Sequence, residues 1–167
     1  MGFDKRMIPT TKDMDMLVRD CLRSHTTTVS NGSYFETWKL ARQGWVISDD
    51  TATIQLMGAS SVVGHLETLP SYIAELAGIL SAIIVLNILY ESHHIPPPTV
   101  STLYCDNEGA VDIINRILYD PQMTEFSDAM ADRDLLYELQ HEIKKQKCTF
   151  HVKWIPSHQD TKKKLCH

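Results

Sequence analysis

The sequence predicts a single α/β domain with one five-stranded mixed sheet, in which a three-strand antiparallel meander precedes a β-α-β unit and helices cover both faces. A stretch rich in Thr, Val, Ile and Trp with turn signals comes first, a long apolar helix follows, and the later strands alternate with amphipathic helices. The length of 167 residues is enough for one compact domain with a sizeable core. Hydrophobic residues make up 43% and charged residues 22%, a balance that disfavours disordered, collagen-like and coiled-coil chains.

Residues 1–25 are interpreted as an amphipathic lead-in segment, and residues 26–167 as the domain itself. In the lead-in, apolar residues recur at the spacing of one helical face, namely Met14, Leu17, Val18, Cys21 and Leu22. Residues 12–23 are therefore predicted to form a short helix, which either packs on the domain or connects it to an upstream one.

Three consecutive strands are predicted at the start of the domain, at residues 26–30, at residues 45–48 and from residue 53 onward. β-branched and aromatic residues dominate these stretches, and Asn-Gly and Asp-Asp turn signals separate them. Because a glycine inside a strand often marks a bulge or a bend, the third strand is expected to bend at Gly58.

The rest of the domain alternates helices and strands. A helix of about twenty residues opens at Pro70 and Ser71 and ends before the three prolines at residues 96–98. A short apolar strand at residues 100–105 leads into a helix that begins near Glu108. The strand therefore runs directly toward the start of the next helix.

A last helix and strand complete the predicted sheet. The helix follows residues 126–128, and its C-terminal lysines favour the helix dipole. Residues 148–154 alternate apolar and polar side chains, which predicts a half-buried strand, and Trp154 is assigned to the core. Since each β-α-β step is right-handed and returns parallel, the first strand can lie beside the fourth.

Charge is distributed unevenly along the chain. The net charge is −5, yet residues 139–167 contain seven lysines against two acidic residues, a local net of +5 that leaves −10 before it. Such asymmetry suits a protein that holds cations in one region and phosphates in another, although an ordinary solvated basic tail explains the charges equally well.

Cysteine usage and apolar stretches indicate where the protein works. The cysteines are far apart and form no Cys-x-x-Cys pair, which favours buried thiols in a reducing compartment over zinc or disulfides. No apolar signal region follows Met1, so an intracellular protein, cytoplasmic or nuclear, is expected and secretion is disfavoured. The uninterrupted apolar run at residues 76–86 is shorter than the ~20 residues of a membrane span, so it predicts a core helix and no membrane partner.

Three polar positions are expected where strands end and the long helix begins, the edge at which active groups of α/β sheets gather. Asn31 is placed at the end of strand one, Asp106 at the end of strand four, and Glu75 in the first turns of the helix. A Glu in an apolar helical run costs several kcal/mol to bury unpaired, and a cation shared with Asp106 would offset that cost. The alternative is that Glu75 lies on an exposed polar stripe of the helix.

Four motifs in this order resemble the type 1 ribonuclease H family, over about residues 26–160. They are Ser30-Asn31-Gly32-Ser33, Ala74-Glu75-Leu76, Tyr104-Cys105-Asp106-Asn107 and Trp154-Ile155-Pro156-Ser157-His158. The longer strings at residues 71–78 and 157–160 are most similar to ribonuclease H domains of retroelement reverse transcriptases.

The resemblance implies endonucleolytic hydrolysis of the RNA strand of RNA·DNA hybrids by two Mg²⁺ ions, or Mn²⁺ in their place. By position, Glu75 and Asp106 would be catalytic metal ligands, and Asn31 stands where the family has its first metal-binding Asp. His158 would assist proton transfer or product release, a role that suits a side chain titrating near neutral pH.

This chain departs from the family pattern at two metal ligands. Asn31 offers a neutral amide in place of a bridging carboxylate, and the family's fourth carboxylate, on a closing C-terminal helix, would lie just past His167. The chain as written is therefore expected to be a weak or inactive hydrolase that lacks its C-terminal helix. An engineered change, a decayed or truncated element, and a domain recruited for binding are all compatible with this pattern.

Nucleic acid, as a hybrid or duplex, is the expected partner. Its predicted contacts are Ser33, Asn107, Lys144, Lys145, Lys147 and Lys153, which would give salt-dependent, sequence-independent binding. A second class of function stays open: a catalytically silent nucleic-acid-binding or protein-interaction domain of a reverse transcriptase-like assembly, with residues 12–23 as the docking element.

Overall fold

A computed structural model describes residues 15, 25–48, 55–62, 71–92, 100–120, 123, 125–126, 132–146 and 149–156. The strands are β1 (His25–Phe35), β2 (Leu40–Ser48), β3 (Gln55–Val62), β4 (Val100–Cys105) and β5 (Thr149–Trp154). The helices are α1 (Ser71–Ser92), α2 (Glu108–Tyr119) and α3 (Arg133–Lys145). The lead-in helix predicted at residues 12–23 and the domain boundary near residue 25 stay predictions, because almost all of the lead-in lies outside these residues.

The strands form one five-stranded mixed sheet in the order β3-β2-β1-β4-β5. β1 pairs antiparallel with β2, and β2 with β3, which is the predicted meander. β4 lies parallel to β1 on its other side, and β5 lies parallel to β4. The prediction that strand one lies beside strand four is therefore confirmed, and the carboxyl ends of β1, β4 and β5 share one edge of the sheet.

The three helices pack together on one face of this sheet and enclose the core. α1 is long and apolar enough to cross a membrane by length and composition, but 56% of its most apolar window is buried within the fold. Its polar Asn87 is buried too and donates to Glu142 Oε2 at 2.8 Å and to the Glu142 carbonyl at 3.0 Å. The apolar character of α1 is thus used in the core, where one amide ties it to α3.

Side chains alternate between the two faces of the sheet, as strand geometry requires. The helix-covered face carries Thr28, Ser30, Gln43, Ile47, Leu103 and Cys105, all buried. The second face, here called the open face, carries Val29, Asn31, Arg42, Met57, Tyr104 and Lys153. No helix covers the open face among the described residues, so the predicted helix cover on that side stays a prediction.

β1 is longer than predicted, and this moves Asn31 from the end of a strand to its interior. The ladder continues past Asn31, which pairs with Gly44, and the chain turns only at the single 3-10 turn Glu36–Trp38. Lys39 closes that turn with a left-handed φ of 46°. The Asn-Gly pair is therefore a strand segment here, and the turn signal it suggested was wrong.

Two further boundaries also differ from the prediction. Gly58 does not bend β3, because it pairs in regular register with Trp45. A Cβ at Gly58 would lie 2.4 Å from the Trp45 ring, so the glycine makes room for an aromatic side chain. The last helix begins at Arg133 rather than near residue 128.

α1 approaches β1 most closely at Gly32. A Cβ on Gly32 would lie 2.3 Å from the Glu75 backbone nitrogen and 2.5 Å from the Ala74 carbonyl carbon, distances that no real side chain shows. Further along the helix, a Cβ on Gly78 would come within 3.4 Å of the Gly44 carbonyl oxygen. The small residues Gly32, Ala74 and Gly78 thus set the spacing between helix and sheet.

Gly32→Ala is expected to lower the free energy of unfolding by about 3 kcal/mol or more, because backbone atoms on both sides must move apart. Gly44→Ala, in the neighbouring strand, is the matched control: its Cβ would meet nothing closer than 3.7 Å, and we expect a change within about 1 kcal/mol. Urea unfolding of both variants measures the difference, and equal effects would contradict the close approach.

Candidate functional site

Glu75 and Asp106 come together at the carboxyl edge of the sheet. Glu75 lies in the second turn of α1, and Asp106 directly follows β4. With Cys105, the last residue of β4, they form a cluster in which one potential ligand atom from each residue lies within 4.8 Å of the others. Two carboxylates that are distant in sequence therefore meet in one pocket, as predicted.

The Glu75 carboxyl group is buried and only partly compensated. It is 3% exposed and accepts hydrogen bonds from the Gly32 backbone N–H and from the Cys105 thiol, whose Sγ lies 3.5 Å from Oε2. Burial, with the Asp106 carboxylate nearby, raises the pKa of Glu75 to about 7, although the Gly32 N–H acts in the opposite direction. A carboxylate in this position gains from any cation that can reach it. Because Glu75 is buried, the alternative prediction that it lies on an exposed polar stripe of the helix is wrong.

Cys105 occupies the floor of the cluster. Its side chain is fully buried, and burial raises the pKa of the thiol to about 12. The Asn107 backbone N–H points to Sγ at 3.4 Å and favours the thiolate. Ser30, its register partner on β1, is also buried, and its side-chain hydrogen bond to Cys105 likewise favours the thiolate.

The turn after β4 is fixed by hydrogen bonds on both sides of Asp106. Trp154 Nε1 donates to the Asp106 carbonyl at 3.1 Å, and the Ile155 N–H donates to the Cys105 carbonyl at 3.0 Å. Asn107 caps α2 by accepting from the Ala110 N–H at 3.0 Å. Trp154 is 48% exposed, so its assignment to the core was wrong: it lies at the end of β5 and clamps this turn.

Asn31 reaches the same edge of the sheet and lies level with Asp106, because Ser30 and Cys105, the residues before them, pair with each other. Its neighbours Ser30 and Gly32 both contact the cluster residues, through the Cys105 pairing and the Glu75 hydrogen bond. Strand alternation turns the Asn31 side chain to the open face, where it is exposed and lines a shallow apolar groove with Val29 and Val46. Its predicted part in metal binding stays a proposal.

The predicted nucleic-acid contacts are spread over the fold. Lys144 and Lys145 end α3 at the edge where β5 begins, so the six-residue strand separates them from the cluster by about 20 Å. Lys145 also pairs with Glu142 at 2.6 Å. Lys153 lies near the carboxyl edge and on the open face, whereas Lys147 and His158 lie outside the described residues.

Two residues near the site were not singled out from the sequence. Arg42 pairs with Ser33 across β1 and β2 on the open face, two residues from the Asn31–Gly44 pair, and is exposed. Arg42 lies between two buried residues of β2, Ala41 and Gln43, and such alternation marks an exposed position on a strand. Cys105 had been assigned only to the core, since nothing in the sequence shows that it faces Glu75.

The cluster suits one divalent cation better than two. Two carboxylates and several waters are an ordinary ligand set for one Mg²⁺ or Mn²⁺ ion. A second ion needs a bridging anion, and Asn31 offers only a neutral amide. The residues thus fit a divalent cation, with a soft thiol added to the hard oxygens of the family's pattern.

Comparison with known proteins identifies the fold. No family model and no curated protein matches the sequence. Among solved structures, the N-terminal ribonuclease H domain from Mycobacterium tuberculosis, fused to maltose-binding protein, matches with a TM-score of 0.57 over 83% of this chain and 87% of that chain, at 11% identity. Ribonuclease H1 from Halobacterium salinarum matches with a TM-score of 0.55 over 84% and 90%, at 10% identity.

A third neighbour comes from a retroviral polyprotein. The foamy viral protease-reverse transcriptase in complex with an RNA/DNA hybrid matches with a TM-score of 0.59 over 98% of this chain and 20% of that chain, at 12% identity. At these identities the likeness concerns the fold. The chain has the ribonuclease H fold: the predicted α/β class and mixed sheet are confirmed, and the motif resemblance is supported at the structural level.

Stability is expected to fall with rising pH because of Glu75. The folded protein holds this proton with a pKa of about 7 against an ordinary 4.5, so the stabilisation is complete below about pH 4.5 and is lost as the pH rises through 7. The loss is on the order of 3 kcal/mol. Urea unfolding between pH 5 and pH 8 measures it.

Glu75→Gln cannot ionise and should remove most of this pH dependence. Glu138→Gln, which changes an exposed carboxylate on α3, is the matched control and should keep it. Identical pH profiles for wild type and Glu75→Gln would show that Glu75 is not the buried acid described above.

Proposed function

We propose that this chain is a ribonuclease H-like domain that binds RNA·DNA hybrids and carries a weakened metal-dependent site for hydrolysis of the RNA strand. The meeting of buried Glu75 and partly exposed Asp106 in one cluster at the carboxyl edge of β4 carries the proposal. Without a cation, burying Glu75 beside Asp106 is unfavourable, and the raised pKa of Glu75 reflects this.

The described neighbours support nucleic acid as the partner. The foamy viral protein was solved with an RNA/DNA hybrid, and so was another neighbour, LC11 ribonuclease H1. The first of these also supports a place beside a reverse transcriptase domain, in keeping with the retroelement-like strings in the sequence. Hybrid recognition would then rest on backbone shape and 2′-hydroxyls, not on base sequence.

Each residue of the cluster has a distinct part in this proposal. Bound Mg²⁺ or Mn²⁺ ions supply orientation of the attacking water and stabilisation of the leaving oxygen. Glu75 and Asp106 would hold the cation, and the Gly32 N–H keeps the Glu75 carboxylate in place. The hydrogen bonds from Trp154 and Ile155 fix the turn that carries Asp106. His158 would transfer a proton.

The site is weak because one anionic ligand is replaced by an amide. Asn31 cannot supply the negative charge that two neighbouring cations need between them. Cation affinity and rate should therefore both be low, whereas the fold and the nucleic-acid surface are unaffected by this replacement.

Phosphates are proposed to contact the open face beside Asn31. Arg42 and Lys153 lie on either side of Asn31 on this face. Arg42 is on β2, two residues from Gly44, the partner of Asn31. Lys153 is on β5 and pairs with Tyr104, which pairs in turn with Val29 on β1. Lys144 and Lys145 lie at the opposite end of β5 and are less suited to the same stretch of duplex.

Asn31→Asp is expected to raise the rate of Mg²⁺- or Mn²⁺-dependent hydrolysis of the RNA strand by at least about tenfold, which corresponds to about 1.4 kcal/mol of barrier. A labelled RNA·DNA hybrid, resolved on a denaturing gel, measures it. The new carboxylate restores the charge at the position where the family carries its first Asp.

Asn31→Ala is the control and should bring no gain, because it adds no charge. Glu75→Gln in the Asn31→Asp background should abolish the restored rate. If Asn31→Asp neither hydrolyses the hybrid nor binds Mn²⁺ in calorimetry, while hybrid binding persists, the domain is a silent binding or interaction module.

Arg42→Ala and Lys153→Ala are each expected to weaken hybrid binding and to lower the slope of log K against log salt by roughly 0.9, as the loss of one phosphate contact does. Lys144→Ala removes an exposed lysine at the far end of β5 and is the matched control. Fluorescence anisotropy at several salt concentrations gives the slopes, and a larger effect from Lys144→Ala would place the duplex elsewhere.

A further inference from the structure

We infer that Cys105 is a metal ligand, and that the cluster of Glu75, Cys105 and Asp106 binds a thiophilic divalent cation of the Zn²⁺ class more tightly than Mg²⁺. The inference builds on the site of the proposed function, but its test does not require hydrolysis. Its basis is the position of the sulfur, which lies within 4.8 Å of a carboxylate oxygen of both Glu75 and Asp106.

The spacing of the donor atoms fits a tetrahedral cation. Bonds of about 2.3 Å to sulfur and about 2.0 Å to oxygen hold those two ligand atoms roughly 3.5 Å apart at the tetrahedral angle. Cys105 Sγ and Glu75 Oε2 lie 3.5 Å apart. The Asp106 ligand atom lies within 4.8 Å of both, so a small rotation of its partly exposed side chain completes a three-ligand set.

The surroundings of the sulfur favour a thiolate once a cation is present. The Asn107 N–H points to Sγ at 3.4 Å, and α2 begins at the next residue, so its positive N-terminal end lies close by. A coordinated thiol gives up its proton, here to solvent, even when burial opposes ionisation.

Ser30 lies beside the sulfur and also favours the thiolate. It is 2% exposed and pairs with Cys105 on the same face of the sheet. Its side chain hydrogen-bonds to Cys105, and this interaction acts to lower the pKa of the thiol. Negative charge on Cys105 therefore has two nearby donors, the Ser30 hydroxyl and the Asn107 N–H.

The donor set decides the preference between cations. Carboxylate oxygens suit Mg²⁺, whereas a thiolate selects Zn²⁺ and its relatives, which also bind more tightly at a given site by the general order of divalent affinities. The same pocket that is weakened toward a pair of hard ions by Asn31 is therefore strengthened toward one soft ion by Cys105.

Cadmium is the probe, because a thiolate-to-cadmium bond gives an ultraviolet charge-transfer band. The test protein has Cys21, Cys148 and Cys166 replaced by Ser, so that Cys105 is the sole thiol. We expect the band to appear on titration with Cd²⁺ and to saturate at one equivalent. Zn²⁺ should remove it at a similar concentration, and Mg²⁺ in large excess should not.

Cys105→Ser in this background should show no band and should bind Cd²⁺ at least about tenfold more weakly in calorimetry, since even the loss of an outer contact costs that much. Glu75→Gln should weaken binding as well. Asp112→Asn, an exposed carboxylate on α2 outside the cluster, should not. If the sole-thiol protein does not fold, the difference spectrum between wild type and Cys105→Ser serves instead.

Saturation with Cd²⁺ without a band, or displacement by Mg²⁺ as readily as by Zn²⁺, would overturn the inference. If either result came with Mn²⁺-dependent hydrolysis of the hybrid, the proposed function would hold and the inference about Cys105 would fail. A clear Cd²⁺ band with no hydrolysis by Asn31→Asp would do the reverse, leaving a soft-cation site in a domain that is not a nuclease.

Discussion

Helix α1 lies against β1 so closely at Gly32 that no side chain fits between the glycine and the backbone at residues 74 and 75. This contact brings Glu75 into the sheet's carboxyl edge and gives its carboxylate a backbone donor, the Gly32 N–H. The contact also fixes the distance between α1 and the sheet, which is so short that α1 has small residues, Ala74 and Gly78, on the side facing the sheet. Moving the helix outward by the width of one methyl group would withdraw Glu75 from Asp106 and open the core beneath it.

The same contact buries an acidic side chain, that of Glu75, at a position where a hydrophobic side chain would give a more stable protein. The carboxyl group of Glu75 is buried next to a second carboxylate and a thiol, and one backbone N–H offsets only part of the desolvation. Structural buried acids have better partners, as Glu142 does: burial works against its charge, but Lys145 and Asn87 lower its pKa. This contrast with the Glu142 ion pair singles out the cluster around Glu75 as the candidate site in this chain.

The sequence was a good guide where local signals and tertiary packing agree. β4 runs over the predicted residues 100–105, α1 opens at the predicted Ser71, and α2 begins at the predicted Glu108 behind an asparagine cap. The convergence of Glu75 and Asp106 was also predictable, because parallel strands share a carboxyl edge. These features depend on periodicity, proline placement and topology, all of which are legible without coordinates.

Features that depend on register or on distance were not predictable in the same way. Asn-Gly is a turn signal, yet the ladder with β2 continues through it, and the resulting alternation leaves the Asn31 side chain exposed. The lysines of residues 144–153 are close in sequence but not in space. Lys144 ends α3 near the start of β5, whereas Lys153 lies near the other end of that strand.

In the proposed site, Asn31 and Cys105 would change the choice of cation in the same direction. The amide supplies no negative charge, so affinity would be lower for every divalent cation, and lowest for a pair of ions that need a shared anion. The thiol offers a ligand that only a soft cation can use well. A carboxylate in place of Asn31 would favour hard ions whether or not the thiol were present. With Asn31 in place, the sulfur would be the donor that decides which cation the two carboxylates prefer.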